Sequence, residues 1–199
     1  GTTFDDHLRR YVNETRAKGG IPVLFNSIVR RNLVQPKDTS ISKDVRRTPG
    51  ESEPPKEGTV LFDTHGAYLD SPRNVAKELR VAFIDMNKIT HDLVEGLGPV
   101  ESKKLFMFVE PDQVPAFPKG REDNTHLNVY GARVIAGLAV EAIGKAVPEL
   151  APYIRHYDYV VAQDGSGDFF TVQEAINAVP DFRKNIRTTI LIRKGTYKE

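Results

Sequence analysis

The chain has 199 residues, 39% hydrophobic and 28% charged, an ordinary composition for a globular protein that can bury a core. With 28 basic and 27 acidic residues, its net charge of +1 gives no electrostatic reason to expect nucleic acid or an anionic membrane as a partner. The sequence has no cysteine, which excludes disulfides, thiolate catalysis and cysteine-bound zinc.

The first 25 residues predict a helix followed by a buried strand. Thr3 is a candidate N-cap, and Asp5 and Asp6 fall in the first turn, where the helix dipole favours acids. Apolar residues then recur at helical spacing until Gly19-Gly20. The apolar run 21–25 follows directly, an order that is typical of a parallel sheet.

Residues 30–58 are rich in proline, arginine and polar residues, and they predict a long surface excursion. Its arginines, Arg30, Arg31, Arg46 and Arg47, suit an acidic sugar polymer as well as they suit a solvated loop.

Helices and strands alternate again between residues 60 and 147. Ser71 and Pro72 indicate a helix start, and residues 81–84 a second buried strand. The next helix is expected to end at Gly96 and Gly98, and the clearest amphipathic pattern covers 128–147. The alternation predicts an α/β fold with a parallel sheet. Two convincing strands and a weaker one at 60–62 amount to a partial sheet.

The pattern changes after Pro152, and we place a domain boundary within residues 148–157. Strands are predicted at 157–161 and 188–192, separated by the turn 164–168 and a short helix capped by Thr171. The expected domains are therefore 1–150 and 158–199, with 151–157 as a linker.

The sharpest chemical signal is Asp123-Asn124-Thr125-His126, immediately before the long helix. A histidine can accept the proton of an attacking serine near neutral pH, and a carboxylate fixes its tautomer. An aspartate three residues earlier can place both side chains on one side of the backbone. The alternative is that Asp123 caps the following helix.

Residues 123–132 resemble the last conserved block of SGNH/GDSL hydrolases, most closely the rhamnogalacturonan acetylesterase branch, and segments 16–24 and 103–108 extend the resemblance. It covers roughly residues 1–147. It implies a flavodoxin-like three-layer α/β/α fold and a cofactor-free serine esterase that removes acetyl groups from pectin. His126 would be the base and Asp123 its carboxylate partner.

The Gly-Asp-Ser and Gly-x-Asn-Asp blocks that supply this family's nucleophile and oxyanion hole do not occur in the sequence. In the family they precede the segment matched here, so the chain is expected to miss the N-terminal half of its esterase domain and to be inactive by itself. Ser27, after the first predicted strand, lacks the strand–turn–helix setting of a nucleophile and is interpreted as a polar loop residue.

A metal site is not predicted, although Asp63 and His65 could be imagined around a cation with Asp123 and His126. The sequence has no His-Glu-x-x-His and no second histidine at helical spacing. His65 is expected to order a loop. The remaining histidines, His7, His91 and His156, are expected at the surface.

Residues 160–169, 171–176 and 195–199 resemble the opening of a pectin methylesterase, a right-handed parallel β-helix. The resemblance implies that 158–199 form its first turn and that its catalytic residues lie beyond Glu199. The leading hypothesis is thus a fragment of an extracellular or periplasmic enzyme that pairs two esterases and acts on pectin and rhamnogalacturonan, with neither nucleic acid nor membrane as partner. The alternative is a non-catalytic polygalacturonate-binding or scaffolding module.

Overall fold

The computed structural model describes residues 3–34, 58–180 and 187–198, which form a mixed α/β structure. The helices are α1 (Phe4–Ala17), α2 (Asp70–Leu79), α3 (Met86–Glu101), α4 (Val129–Ala146) and α5 (Val172–Asn177). The strands are β1 (Val23–Phe25), β2 (Leu33–Val34), β3 (Val60–Leu61), β4 (Ala82–Ile84), β5 (Tyr159–Val161) and β6 (Ile190–Ile192). Short 3-10 helices lie at Gly66–Leu69, Ser102–Leu105 and Pro148–Tyr153. Within these described ranges, no helix is both long and apolar enough to cross a membrane.

The two strands predicted as buried and parallel, β1 and β4, do pair in parallel, with Val23 opposite Ala82 and Phe25 opposite Ile84. Helix α2 lies between them along the chain and packs against both. The mixed α/β class with a small parallel sheet is therefore confirmed. The complete three-layer sheet remains a prediction.

Helix α1 begins as its sequence predicts. The Thr3 hydroxyl accepts a hydrogen bond from the backbone N–H of Asp6 at 3.2 Å, and the Asp6 carboxylate accepts one from the N–H of Thr3 at 3.0 Å, which completes a capping box. Two nitrogens of the Arg9 side chain donate hydrogen bonds of 2.9 Å each to the carboxylate of Glu78, and these bonds link α1 to α2.

Two helix boundaries differ from the expectation. Helix α2 begins at Asp70 rather than after Ser71, because the 3-10 turn Gly66–Leu69 already supplies helical backbone and no side-chain cap is needed. Gly98 does interrupt α3, with φ 73° and ψ 178°, but helical turns resume at Pro99 and run to Glu101. A glycine adopts this φ without strain, and proline suits the first turn of the resumed helix.

The start of the expected surface excursion is built into the fold instead. Residues 30–34 contain the buried Arg31 and Asn32 and the strand β2, which pairs antiparallel with β3. The weaker strand at 60–62 therefore exists but belongs to a second sheet. Arg46 and Arg47 lie outside the described residues.

Among the described residues the hydrophobic core has two clusters, and each includes a residue of α3. One joins Val29 and Val94 to Leu105 and Phe106. The other joins Ile84 and Met86 to Ile135 of α4, with Leu93 and Leu127 packed against both clusters. The apolar face predicted for the long helix is thus the face of α4 that packs against β4. This packing holds the first turn of α4, and with it the end of the preceding loop.

The C-terminal segment forms its own parallel pair, β5 with β6, separated by α5. Thr171 and Glu174 make the predicted helix cap, again as a capping box. An ion pair between Arg133 and Asp168 joins this segment to α4. The 3-10 helix Pro148–Tyr153 packs on α4 in the region expected as a boundary. The domain division and the β-helix turn remain predictions.

Candidate active site

The loop that carries Asp123 and His126 is held against the segment that follows α3. Val109 and Arg121 exchange two backbone hydrogen bonds, each 2.8 Å long. Further along, the N–H of Met107 donates to the carbonyl of His126 at 2.9 Å, and Phe106 bridges Leu127. These ladder contacts, flanking residues 123–126 on both sides, fix the backbone of the loop.

Asn128 caps α4 and anchors its start. Its side-chain oxygen accepts from the N–H of Gly131 at 2.8 Å, while its amide nitrogen donates to the carbonyls of Lys104 and Phe106 at 2.8 and 2.9 Å. The alternative interpretation of Asp123 as the helix cap is therefore wrong, because Asn128 fills that position.

Asp123 and His126 form a close pair. Nδ1 of His126 lies 2.8 Å from Oδ2 of Asp123, and the other carboxylate oxygen accepts from the N–H groups of Thr125 and His126 at 2.8 and 2.9 Å. The carboxylate is 11% exposed and the imidazole 67% exposed. The three-residue spacing thus folds into a tight turn that orients the ring by one nitrogen.

The carboxylate of Asp123 is held in its ionised form. Partial burial raises its pKa, but the N–H of His126, the guanidinium of Arg121 and the N–H of Thr125 lower the pKa further, so the net result is well below the usual aspartate range. An ionised carboxylate beside Nδ1 favours the tautomer with the proton on that nitrogen. Nε2 is then left as the proton acceptor.

Arg121 is a site residue that the sequence analysis missed. Its Nε lies 3.1 Å and its terminal nitrogen 2.5 Å from Oδ2 of Asp123, the same oxygen that faces His126. The sequence offered one signal for this contact. Arg121 and Asp123 are two residues apart, and in an extended segment this separation places both side chains on one face.

Arg31 supports the same loop from inside the protein. Its side chain is buried; Nε donates to the hydroxyl of Ser102 at 2.9 Å, and a terminal nitrogen donates to the side chain of Asn124 at 2.6 Å. Its guanidinium also contacts the carbonyl of Pro99. A buried guanidinium neither binds a sugar polymer nor lies in a solvated loop, so both interpretations of Arg31 are wrong. Arg30 is half-buried and donates to Thr64 at 3.0 Å.

Replacing Arg31 with methionine is expected to lower the free energy of unfolding by about 2–3 kcal/mol, because the buried acceptors of Ser102 and Asn124 and the partly buried carbonyl of Pro99 lose a charged donor. Urea denaturation followed by circular dichroism measures the change. Arg31→Lys keeps the charge but not the planar fork, and should lose an intermediate amount. Equal unfolding midpoints for wild type and Arg31→Met would contradict this role.

Asp63 and His65 form a second aspartate–histidine pair. Nδ1 of His65 lies 2.9 Å from Oδ1 of Asp63, which also accepts from the N–H of His65 at 2.7 Å. The imidazole is 13% exposed, so it is far less accessible than His126. Asn87 donates to the other oxygen of Asp63 and connects it to Asn26 after β1. These contacts agree with the expected loop-ordering role of His65.

The Asp63→Asn variant is expected to be less stable than wild type at pH 7 and equally stable near pH 2. Burial raises the pKa of Asp63, but hydrogen bonds from His65 and Asn87 lower it to about 2. An aspartate titrates near 3.9 when unfolded, so its contribution is present above about pH 4 and is lost as the pH falls toward 2. After allowance for solvent screening, the loss at pH 7 should be about 1–2 kcal/mol. Urea denaturation across this pH range tests it; a difference independent of pH would contradict it.

The other candidate residues are not brought to His126. Ser27 is exposed after β1, and within the described residues no hydrogen bond joins it to His126. His7 and His156 are exposed as expected, whereas His91 is half-buried, with its Nδ1 3.3 Å from Glu95. Among the described residues, no group of three or more histidine and carboxylate side chains could hold a metal ion.

Two groups of known proteins resemble this chain. The chain is 32% identical over 164 residues to the rhamnogalacturonan acetylesterase RhgT of Bacillus subtilis (strain 168), which corresponds to 82% of this chain and 59% of that protein. The chain thus spans about three-fifths of the length of this relative.

The C-terminal part matches different proteins. The pectinesterase family model matches residues 158–199. A pectinesterase/pectinesterase inhibitor of Ficus pumila var. awkeotsang is 52% identical over 42 residues, 21% of this chain and 8% of that protein. Pectinesterase 1 of Solanum lycopersicum is 55% identical over 40 residues, 20% of this chain and 7% of that protein. The chain is therefore homologous to a rhamnogalacturonan acetylesterase over most of its length and to pectinesterases at its C-terminal end.

Proposed function

We propose that this chain supplies the acid–base pair of a serine carboxylic ester hydrolase that removes acetyl groups from rhamnogalacturonan. The observation that carries the proposal is the 2.8 Å contact between Nδ1 of His126 and Oδ2 of Asp123, with the imidazole otherwise exposed to solvent. The homology to a rhamnogalacturonan acetylesterase supports the reaction and the polymer.

In the proposed reaction, Nε2 of His126 takes the proton of a serine hydroxyl while the serine oxygen bonds to the acetyl carbon. The imidazolium then returns that proton to the departing sugar oxygen. Water repeats the sequence on the acyl-enzyme, which releases acetate and restores the serine. Asp123, kept ionised by Arg121 and two backbone N–H groups, stabilises the imidazolium at each step.

We place the serine in a Gly-Asp-Ser block of the whole protein that precedes this sequence. The same proposal gives residues 1–150 to a three-layer α/β/α esterase domain, 151–157 to a linker and 158–199 to the first turn of a β-helical pectin methylesterase. The match of 158–199 to the pectinesterase family supports the fusion. Two esterases acting on pectin would work outside the cytoplasm, in the extracellular space or the periplasm.

The test is acetate release from acetylated rhamnogalacturonan. The 199-residue chain should release none. The protein translated from the longer coding sequence, including the proposed serine block, should release acetate and should be labelled by a serine-directed phosphonate. Hydrolysis by the shorter chain would refute the placement of the nucleophile. An inactive longer protein that still binds the polymer would favour the non-catalytic binding module instead.

A further inference from the structure

A pocket of about 520 Å³ lies beside the candidate active site and is open to solvent. Its walls come from the two segments that brace the Asp123–His126 loop, residues 103–111 and 119–122, together with Asn128. This volume is in the range of small-ligand sites. Neither the acid–base pair nor the proposed proton transfers use the pocket.

The pocket is predominantly basic. Its two carboxylates, Glu110 and Glu122, are outnumbered by cationic side chains. The four cations are Lys103, Lys104, Lys119 and Arg121. The chain as a whole carries a net charge of only +1, so this concentration of positive charge is local. Low-dielectric walls focus such a field and attract anions.

These cations differ in their availability to a ligand. Lys104 lies 3.3 Å from Glu101, and Arg121 is paired with Asp123. Lys103 has its ammonium 5.3 Å from the ring of Phe108. Lys119 is exposed, and within the described residues its side chain makes no hydrogen bond or ion pair. Lys119 is therefore the cation best placed to meet an incoming anion.

The other lining groups suit a sugar. Phe108, which lines the pocket and is half-buried, can provide an apolar contact for the C–H face of a pyranose. The carboxylates of Glu110 and Glu122 can accept hydrogen bonds from sugar hydroxyls. A small inorganic anion would use the cations but neither of these features.

Arg121 connects the pocket to the candidate acid–base pair. Its guanidinium lines the pocket and also contacts Oδ2 of Asp123, which in turn faces Nδ1 of His126. A ligand in the pocket would thus lie one side chain away from the pair. Binding energy gained there would position the rest of a polymer against His126.

We propose that this pocket is a subsite for an acidic sugar, in which Lys119 binds the carboxylate of a uronate unit of the polymer. The proposal rests on the proposed function for the choice of polymer, but binding at the pocket needs no nucleophile. It can therefore be tested on the 199-residue chain, separately from catalysis.

The experiment measures binding of trigalacturonate and of neutral galactotriose to the chain by isothermal titration calorimetry at low and moderate salt. Trigalacturonate should bind more tightly than galactotriose, and salt should weaken its binding. Lys119→Glu should weaken it about tenfold, because an attraction is replaced by a repulsion. Lys77→Glu, a charge reversal at an exposed lysine on α2 away from the pocket, should change the affinity by less than about twofold.

Three results would overturn the proposal: no preference for trigalacturonate, equal affinities of the Lys119→Glu and wild-type chains, or displacement of trigalacturonate by an equal concentration of inorganic sulfate. His126→Ala should leave trigalacturonate binding unchanged. Acetate release that depends on His126, with binding that does not depend on Lys119, would leave the proposed function intact and refute the subsite. The reverse pattern would keep the subsite and refute the function.

Discussion

Replacing His126 with alanine is expected to reduce acetate release by at least about a thousandfold in the longer protein that contains the proposed serine. The imidazole is the group that would accept the serine proton, and its Nδ1 contact with Asp123 at 2.8 Å fixes its orientation. The loss should fall on kcat rather than on KM, because the exposed ring contributes little to polymer binding. Initial rates of acetate release from acetylated rhamnogalacturonan measure both parameters.

His91→Ala is the matched control. His91 is also a histidine beside a carboxylate, at 3.3 Å from Glu95, but it lies on α3 and not on the candidate site loop. Its removal should leave kcat within about twofold, because its partner Glu95 lies on the same helix and not on the site loop. Asp123→Asn should reduce kcat strongly, since an amide cannot stabilise the imidazolium. If His126→Ala kept more than a tenth of the activity, His126 would not be the catalytic base.

Gly131→Ala is expected to lower the free energy of unfolding by at least about 3 kcal/mol. A Cβ at this position would lie 1.9 Å from the carbonyl oxygen of Leu105 and 2.6 Å from its carbonyl carbon. Both atoms belong to the backbone, so no side-chain rotation can relieve the clash. The first turn of α4 would have to move away from the segment that braces the site loop.

Gly137 offers the control on the same helix. A Cβ there meets nothing within 4 Å, and the residue is exposed. Gly137→Ala should therefore stabilise the protein by about 0.5–1 kcal/mol, because alanine loses less backbone entropy in a helix. Urea denaturation of the two variants measures the contrast. Equal shifts in the unfolding midpoint would show that the close approach of α4 to Leu105 is not required.

The local structure followed from short stretches of sequence. Thr3 and Thr171 were predicted as helix N-caps, and in the structure an acidic side chain three residues further on completes each as a capping box. The apolar periodicity of 128–147 predicted α4 to within one residue at each end. The Asp123–His126 pair was predicted for the same reason, since its geometry is settled within a single turn.

The supporting contacts of the site could not be predicted in this way. Arg31 was interpreted as a surface cation, yet its guanidinium is buried and bonds to Asn124, a residue 93 positions away. Nothing near Arg31 in the sequence distinguishes it from Arg30, which is only half-buried. The pairing of β2 with β3 was also not predicted, because strands of two residues are too short to show a periodic pattern in the sequence.

The sequence by itself determined the mixed α/β class, the helix caps, and the aspartate and histidine that face each other, because these depend on hydrogen bonds and apolar spacing within a few residues. The tertiary structure alone decided which distant residues support the loop of that pair: Arg31 beneath Asn124 and Gly131 against Leu105. Such contacts join segments far apart in the chain. They form because the folded core, rather than local sequence, brings those groups within bonding distance.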